Sequence, residues 1–179
     1  IEIAKSQSDA GKKVLLTCYN RKLATWIRNV ALSEYPDVEV RTLHSLMTDI
    51  IKDSDNVKFP VQGHADAYDN YFNEILPNTC LRALEDIDQD KYSYDVVVVD
   101  EAQDLMTDNY ILVLNELING GLEQGHWALF LDANQSIFEN SSGTVGAQLM
   151  AYNPARHKLK FNCRNTSASA KLAQALSGY

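Results

Sequence analysis

Chemistry is most concentrated in Asp100-Glu101-Ala102-Gln103-Asp104, directly after Val96-Val97-Val98-Val99. Four consecutive β-branched residues fit a central strand of a parallel sheet, buried on both faces. Two adjacent carboxylates at the end of such a strand are costly unless something cationic neutralises them. A Mg²⁺ ion held against nucleotide phosphates would do so. The first acid could then hold the hydrated metal, and the second could orient and deprotonate an attacking water. A solvated acidic turn is the competing reading.

The elements that must position these residues follow from periodicity. Ile1 to Ala10 reads as a helix stopped by Gly11, and Lys13 to Tyr19 as a short buried strand. Leu23, Trp26, Ile27, Val30 and Ala31 recur at helical spacing, which makes Trp26 an expected core residue. Val38 to Leu43 alternates like a strand, and Leu46, Ile50 and Ile51 suit a helix. Residues 52–66 read as loop. Tyr68, Tyr71, Phe72 and Ile75 suit a helix, continued after Pro77 by Leu81, Leu84 and Ile87. After the strand Tyr94–Val99, Tyr110 to Ile118 makes a helix stopped by Gly120-Gly121. Trp127–Leu131 reads as another buried strand, residues 139–146 as loop and Leu159–Phe161 as a last strand. Ala168 to Leu176 reads as a closing helix.

Alternating strands and helices imply an α/β fold, a parallel β-sheet flanked by helices. Ligands of such sheets sit outside the carboxyl ends of the strands. The polar clusters at those ends are Thr17-Cys18-Tyr19-Asn20, Thr42-Leu43-His44-Ser45, the acidic cluster above, Asp132-Ala133-Asn134-Gln135 and Asn162-Cys163-Arg164-Asn165.

In this order the clusters resemble the motifs of superfamily I helicases of the UvrD/Rep type. Asp100-Glu101-Ala102-Gln103-Asp104 is similar to their Walker B segment, motif II. Leu16 to Asn20 with Leu23-Ala24 resembles motif Ia, and Thr42 to Leu46 resembles motif Ib. Phe130 to Phe138 resembles motif III, and Leu159 with Asn162 to Thr166 resembles motif IV. The resemblance spans nearly the whole chain. It implies a RecA-like P-loop NTPase lobe that works with ATP and Mg²⁺ on single-stranded nucleic acid, with DNA favoured. Residues 1–154 would form the first motor domain, with a short acidic helical insertion at about 52–92. Residues 155–179 would end that lobe or begin the second motor domain.

The resemblance also implies roles. Asp100 is the Mg²⁺ acid and Glu101 the general base. Gln135 senses the γ-phosphate, and Arg164 meets it as an arginine finger, a planar donor fork suited to phosphate. Thr17, Asn20, Thr42 and His44 lie along the single-strand track, and Phe138 offers a stacking face to a base. Plainer roles compete: a turn cap for Gln135, a surface arginine for Arg164, core packing for Phe138, a satisfied strand-end histidine for His44 and a local backbone bond for Thr17. Three departures stand out. Leu131 replaces the family's glycine before Asp132. Asn140 stands where a second aromatic is common. Cys163 and Asn165 flank Arg164 where the family has an aromatic residue and serine.

A phosphate cradle needs Gly-x-x-x-x-Gly-Lys-Ser/Thr between a strand and a helix. The one Gly-Lys here, Gly11-Lys12, is followed by Lys13, with Ser6 at the first glycine position. The chain is therefore expected to be a motor lobe truncated ahead of its phosphate loop, part of a longer protein with a second motor domain. Two alternatives are a non-catalytic helicase-like remnant and a helicase lobe that serves an attached nuclease or repair module.

Composition agrees with a globular fold. Hydrophobic residues make up 45% of the 179 and charged residues 22%, so general disorder is excluded. No apolar run approaches the roughly 20 residues of a membrane span. Cys18, Cys80 and Cys163 are too widely spaced for a zinc site or a disulfide framework, which suits reduced thiols and a cytoplasmic setting. The formal net charge is −8, but unevenly placed. Residues 1–48 hold seven Lys/Arg against five Asp/Glu, and residues 49–104 hold four against fourteen. Residues 155–179 hold five basic residues and no acid. Any surface for an anionic partner must therefore be local.

Overall fold

In the computed structural model, residues 1–61, 70–105, 107–131 and 144–157 are described. Four strands form one parallel sheet: β1 (Val14–Cys18), β2 (Val38–Thr42), β3 (Val96–Asp100) and β4 (His126–Leu129). Their order is β2-β1-β3-β4. Val14 aligns with Val38 on one side and Val96 on the other, and Cys18 with Thr42 and Asp100. This is the α/β class expected from the alternation of elements.

Burial follows position in the sheet. All five residues of β1 are buried, as are Val96 to Val99 of β3, because both strands have neighbours on each side and helices on each face. The apolar run from Trp127 also reads as a buried strand, yet β4 is only half-buried. Among the described residues its one partner is β3.

The helices divide between the two faces. Helix α1 (Glu2–Asp9) and α2 (Arg21–Trp26) cover one face, with Ala4, Ala24 and Ile27 packed against Val14, Leu16, Val38, Val40, Val96 and Val98. Gly11 follows α1 at φ 75, a left-handed turn that glycine adopts without steric cost. The opposite face carries α3 (Leu43–Asp53), α4 (Leu76–Leu84), α5 (Asp108–Leu117) and the short α6 (Gly121–Gln124). Leu15, Val97 and Val99 meet Leu46, Ile50, Leu76, Cys80, Leu114 and Leu122 there. The acidic 52–92 segment therefore contributes α4 to the main core. A further helix, α7, spans Thr144–Ala151.

Two helices contain π turns, at Ile27–Ala31 after α2 and Tyr71–Ile75 before α4. The first one corrects a sequence expectation. A π turn widens the helical period, so the 3.6-residue spacing that joined Trp26 to Ile27 and Val30 breaks at Ile27. Ile27 stays buried, while Trp26 is 52% and Val30 59% exposed. Pro77 does not end the helix: it lies where the π turn Tyr71–Ile75 runs into α4, and the carbonyls of Phe72 and Asn73 accept from Tyr110 Oη and Asn109 Nδ2 instead. Among the described residues, no helix is long and apolar enough to cross a membrane.

Candidate active site at the sheet's switch point

The chain leaves β1 through α2 on one face and leaves β3 towards α5 on the other. Neighbouring strands whose connections part in this way open a crevice between their carboxyl ends. Here that topological position falls between Cys18 of β1 and Asp100 of β3, which are register partners.

Asp100 closes β3 and is half-buried. Its side chain makes no hydrogen bond or ion pair among the described residues. Its charge still reaches Cys18: burial first, and Asp100 next, push that thiol above its ordinary pKa. Cys18 is thus kept as a thiol, with Sγ donating to the Asn20 carbonyl at 3.4 Å.

Glu101 turns the chain out of the strand at φ 50, in the left-handed region. A residue with a Cβ pays about 1–2 kcal/mol there, and such strain clusters at functional sites. The turn is held on two sides. Gln103 Nε2 donates to Glu101 Oε2 at 2.5 Å. Ala102 N–H donates to the Phe130 carbonyl, and Phe130 N–H to the Val99 carbonyl, both at 2.8 Å. The end of β4 therefore clamps the acidic turn, with a 3₁₀ turn at Ala102–Leu105 following.

The polar residues at the ends of β1 and β2 have local partners. Asn20 caps α2, its Oδ1 accepting from Lys22 N–H at 2.9 Å and Leu23 N–H at 3.1 Å. Thr42 caps α3, its Oγ1 accepting from Ser45 N–H at 3.2 Å. Both meet the orphan donors of a helix start. Asn20 remains exposed and Thr42 is buried. Thr17 is fully buried, and its hydroxyl is without a hydrogen-bond partner among the described residues. It presents nothing to a ligand at the surface.

His44 sits in an aromatic cluster. Its ring meets Tyr19, Phe72 and Tyr110 edge-on, at centroid distances of 5.8, 5.0 and 5.7 Å. Tyr110 Oη donates to the Phe72 carbonyl at 2.8 Å and lies 2.8 Å from His44 Nε2. The single phenol proton goes to the carbonyl, so Nε2 must carry the proton of the second bond. Burial lowers the His44 pKa, which favours the neutral ring. Neutral His44 then offers Nδ1 as an acceptor, suited to a base N–H and not to a phosphate oxygen.

The described residues thus bring Asp100 and Glu101 together at the switch point, with Asn20, Thr42 and His44 at the adjoining strand ends. Gln135, Phe138 and Arg164 lie outside the described residues, as do Asp132 and the expected strand Leu159–Phe161. Sequence reasoning gave no individual role to Gln103, Tyr19 or Tyr110. Tyr19 is 50% exposed beside His44 and directly follows β1, the signal that could have singled it out. Among the described residues, no group of three or more His, Cys, Asp or Glu could hold a metal ion. Comparison with protein families, with curated proteins and with solved structures finds no match.

Proposed function

We propose that this chain belongs to an ATP-driven superfamily I motor, as part of its first RecA-like lobe, and acts on single-stranded nucleic acid, DNA above all. The observation that carries the reading is the pair Asp100 and Glu101 at the sheet's switch point, on a turn strained at Glu101 and braced by Gln103 and Phe130. Mg²⁺ is commonly held by one or two carboxylates, with phosphate oxygens and water completing its shell. Two acids with no ion pair among the described residues fit that mode, and they do not fit a cage built by protein alone.

In this reading Asp100 holds the ion, and Glu101 accepts the proton of the attacking water. Bound Mg²⁺ supplies neutralisation of phosphate charge. Gln103 fixes the Glu101 carboxylate by donating to one oxygen, leaving the other for the water. Tyr19 offers a face for base stacking, and His44 Nδ1 an acceptor for a base. Asn20, exposed beside Tyr19, adds the amide donor Nδ2.

Mn²⁺ tests the metal assignment on the chain itself. In ¹H–¹⁵N spectra, Mn²⁺ should broaden the amides of residues 100–102 first. Asp100→Asn should weaken that effect by about tenfold or more. Broadening centred on the acids of residues 85–90, with residues 100–102 untouched, would argue for a plain acidic turn.

A further inference from the structure

The sheet's other edge carries a second surface, independent of the nucleotide reading. Among the described residues, β2 pairs with β1 alone. Every second residue therefore turns its backbone N–H and C=O away from the sheet, although at the two ends of β2 Val38 N–H donates to the Tyr35 carbonyl and the Thr42 carbonyl accepts from Ser45 Oγ. A groove of about 740 Å³ runs beside this edge and is lined without a break from Tyr35 to Thr42. Arg21 and Thr25 of α2 and Arg28 of the π turn that follows it line the groove, as do Tyr94, Arg41 and Ser45.

Edge strands are commonly blunted by bulges, inward charges or covering loops. β2 runs regularly for five residues in register with β1. Its own charges are folded back: Arg41 pairs with Glu39 and Asp49, and Glu39 also accepts from Tyr94 Oη at 2.6 Å. Lys13 is likewise occupied, its Nζ donating to the carbonyls of Asp90 and Lys91 at 2.9 Å. Arg21 and Arg28 make no ion pair among the described residues. Four cations line the groove against two carboxylates, Asp37 and Glu39, of which Glu39 is neutralised.

We propose that this groove docks an acidic extended segment of a partner protein, which adds a strand to β2. The pleat of an added strand would aim alternate side chains at the face that α2 covers, where carboxylates meet Arg21 and Arg28. A nucleic-acid backbone meets the same arginines but fits less well. Phosphate oxygens only accept, so they leave the outward carbonyls of β2 without donors, whereas a peptide supplies both partners.

The probe is a fluorescein-labelled peptide of six residues alternating glutamate and valine, read by anisotropy against the 179-residue chain. Saturable binding is expected, weakened about tenfold or more by Arg21→Glu with Arg28→Glu. Both sites are exposed, and circular dichroism checks that the variant folds. The same peptide N-methylated at alternate nitrogens should not bind. Amide shifts should centre on residues 37–42. Absence of binding, equal binding of the N-methylated peptide, or displacement by oligo-dT with no amide shift in β2 would overturn the proposal.

Discussion

The strained backbone at Glu101 can be isolated by comparing Glu101→Gly with Glu101→Ala. Both remove the carboxylate and the bond from Gln103, so those losses cancel. What differs is the Cβ at φ 50. Removing it relieves about 1–2 kcal/mol of left-handed strain. Glycine returns about 0.5–1 kcal/mol of that through its freer unfolded chain. The glycine variant should therefore be more stable than the alanine variant by roughly 0.5–1 kcal/mol. For a chain of this size that separates the melting temperatures by roughly 1–4 °C. Urea denaturation followed by circular dichroism measures the difference, with equal slopes showing that both unfold alike. An alanine variant as stable as glycine, or more so, would refute the claim of strain. A wild-type protein less stable than Glu101→Gly would add that the turn is kept at a stability cost, as expected where chemistry needs the geometry.

Thr17→Val should stabilise the fold by roughly 1 kcal/mol, because a buried hydroxyl unpartnered among the described residues gives way to a methyl of the same shape; a loss in the same denaturation assay would mean the hydroxyl has a partner. Gly125→Ala should cost roughly 1–3 kcal/mol, since an added Cβ meets Ile118 Cγ2 and the Gly121 and Asn119 carbonyls; unchanged stability would contradict that packing. Acid should weaken the protein through Asp95, whose carboxylate is held below its ordinary range by the Lys13 N–H at 2.9 Å and by Asn119 at 3.0 Å. A lowered folded pKa means its contribution is present above about pH 4 and lost as pH falls through the folded value, so Asp95→Asn should flatten the fall of the urea midpoint with pH. His44 should titrate below its ordinary value of about 6.5 in ¹⁵N spectra, with the proton on Nε2; a proton on Nδ1 would contradict the tautomer drawn from Tyr110.

Legibility in the sequence depended on whether a residue's fate was decided locally. The Val96–Val99 run marked a central strand because only burial on both faces tolerates four apolar residues in succession. The same reasoning misjudged the burial of β4, which is only half-buried among the described residues, since an apolar run does not say how far its strand is covered. Trp26 was misplaced because the π turn at Ile27 shifts the helical phase without any Gly or Pro to announce it. Asn20 and Thr42 were read for ligand contact, while residue type and position before a helix also predict N-caps, which they are. Clustering of Asp100 and Glu101 at a strand end was legible. The backbone strain at Glu101 and its brace from Gln103 were not, because both depend on the turn's conformation and on the neighbouring β4 end. The joining of His44, Tyr19, Phe72 and Tyr110 depends on contacts between distant segments, which no local pattern encodes.

The central claim is that Asp100 and Glu101 hydrolyse a nucleotide in a motor that works on single-stranded nucleic acid. ATP turnover by the parent motor, with and without single-stranded DNA, compared between wild type and Glu101→Gln, tests it most directly. Mg²⁺-dependent, DNA-stimulated turnover is expected to fall by roughly 10²–10⁴-fold in the variant while ATP affinity is retained, because the amide keeps the shape but cannot accept the water's proton. Turnover unchanged by Glu101→Gln, or an equal loss of ATP affinity and turnover, would contradict it.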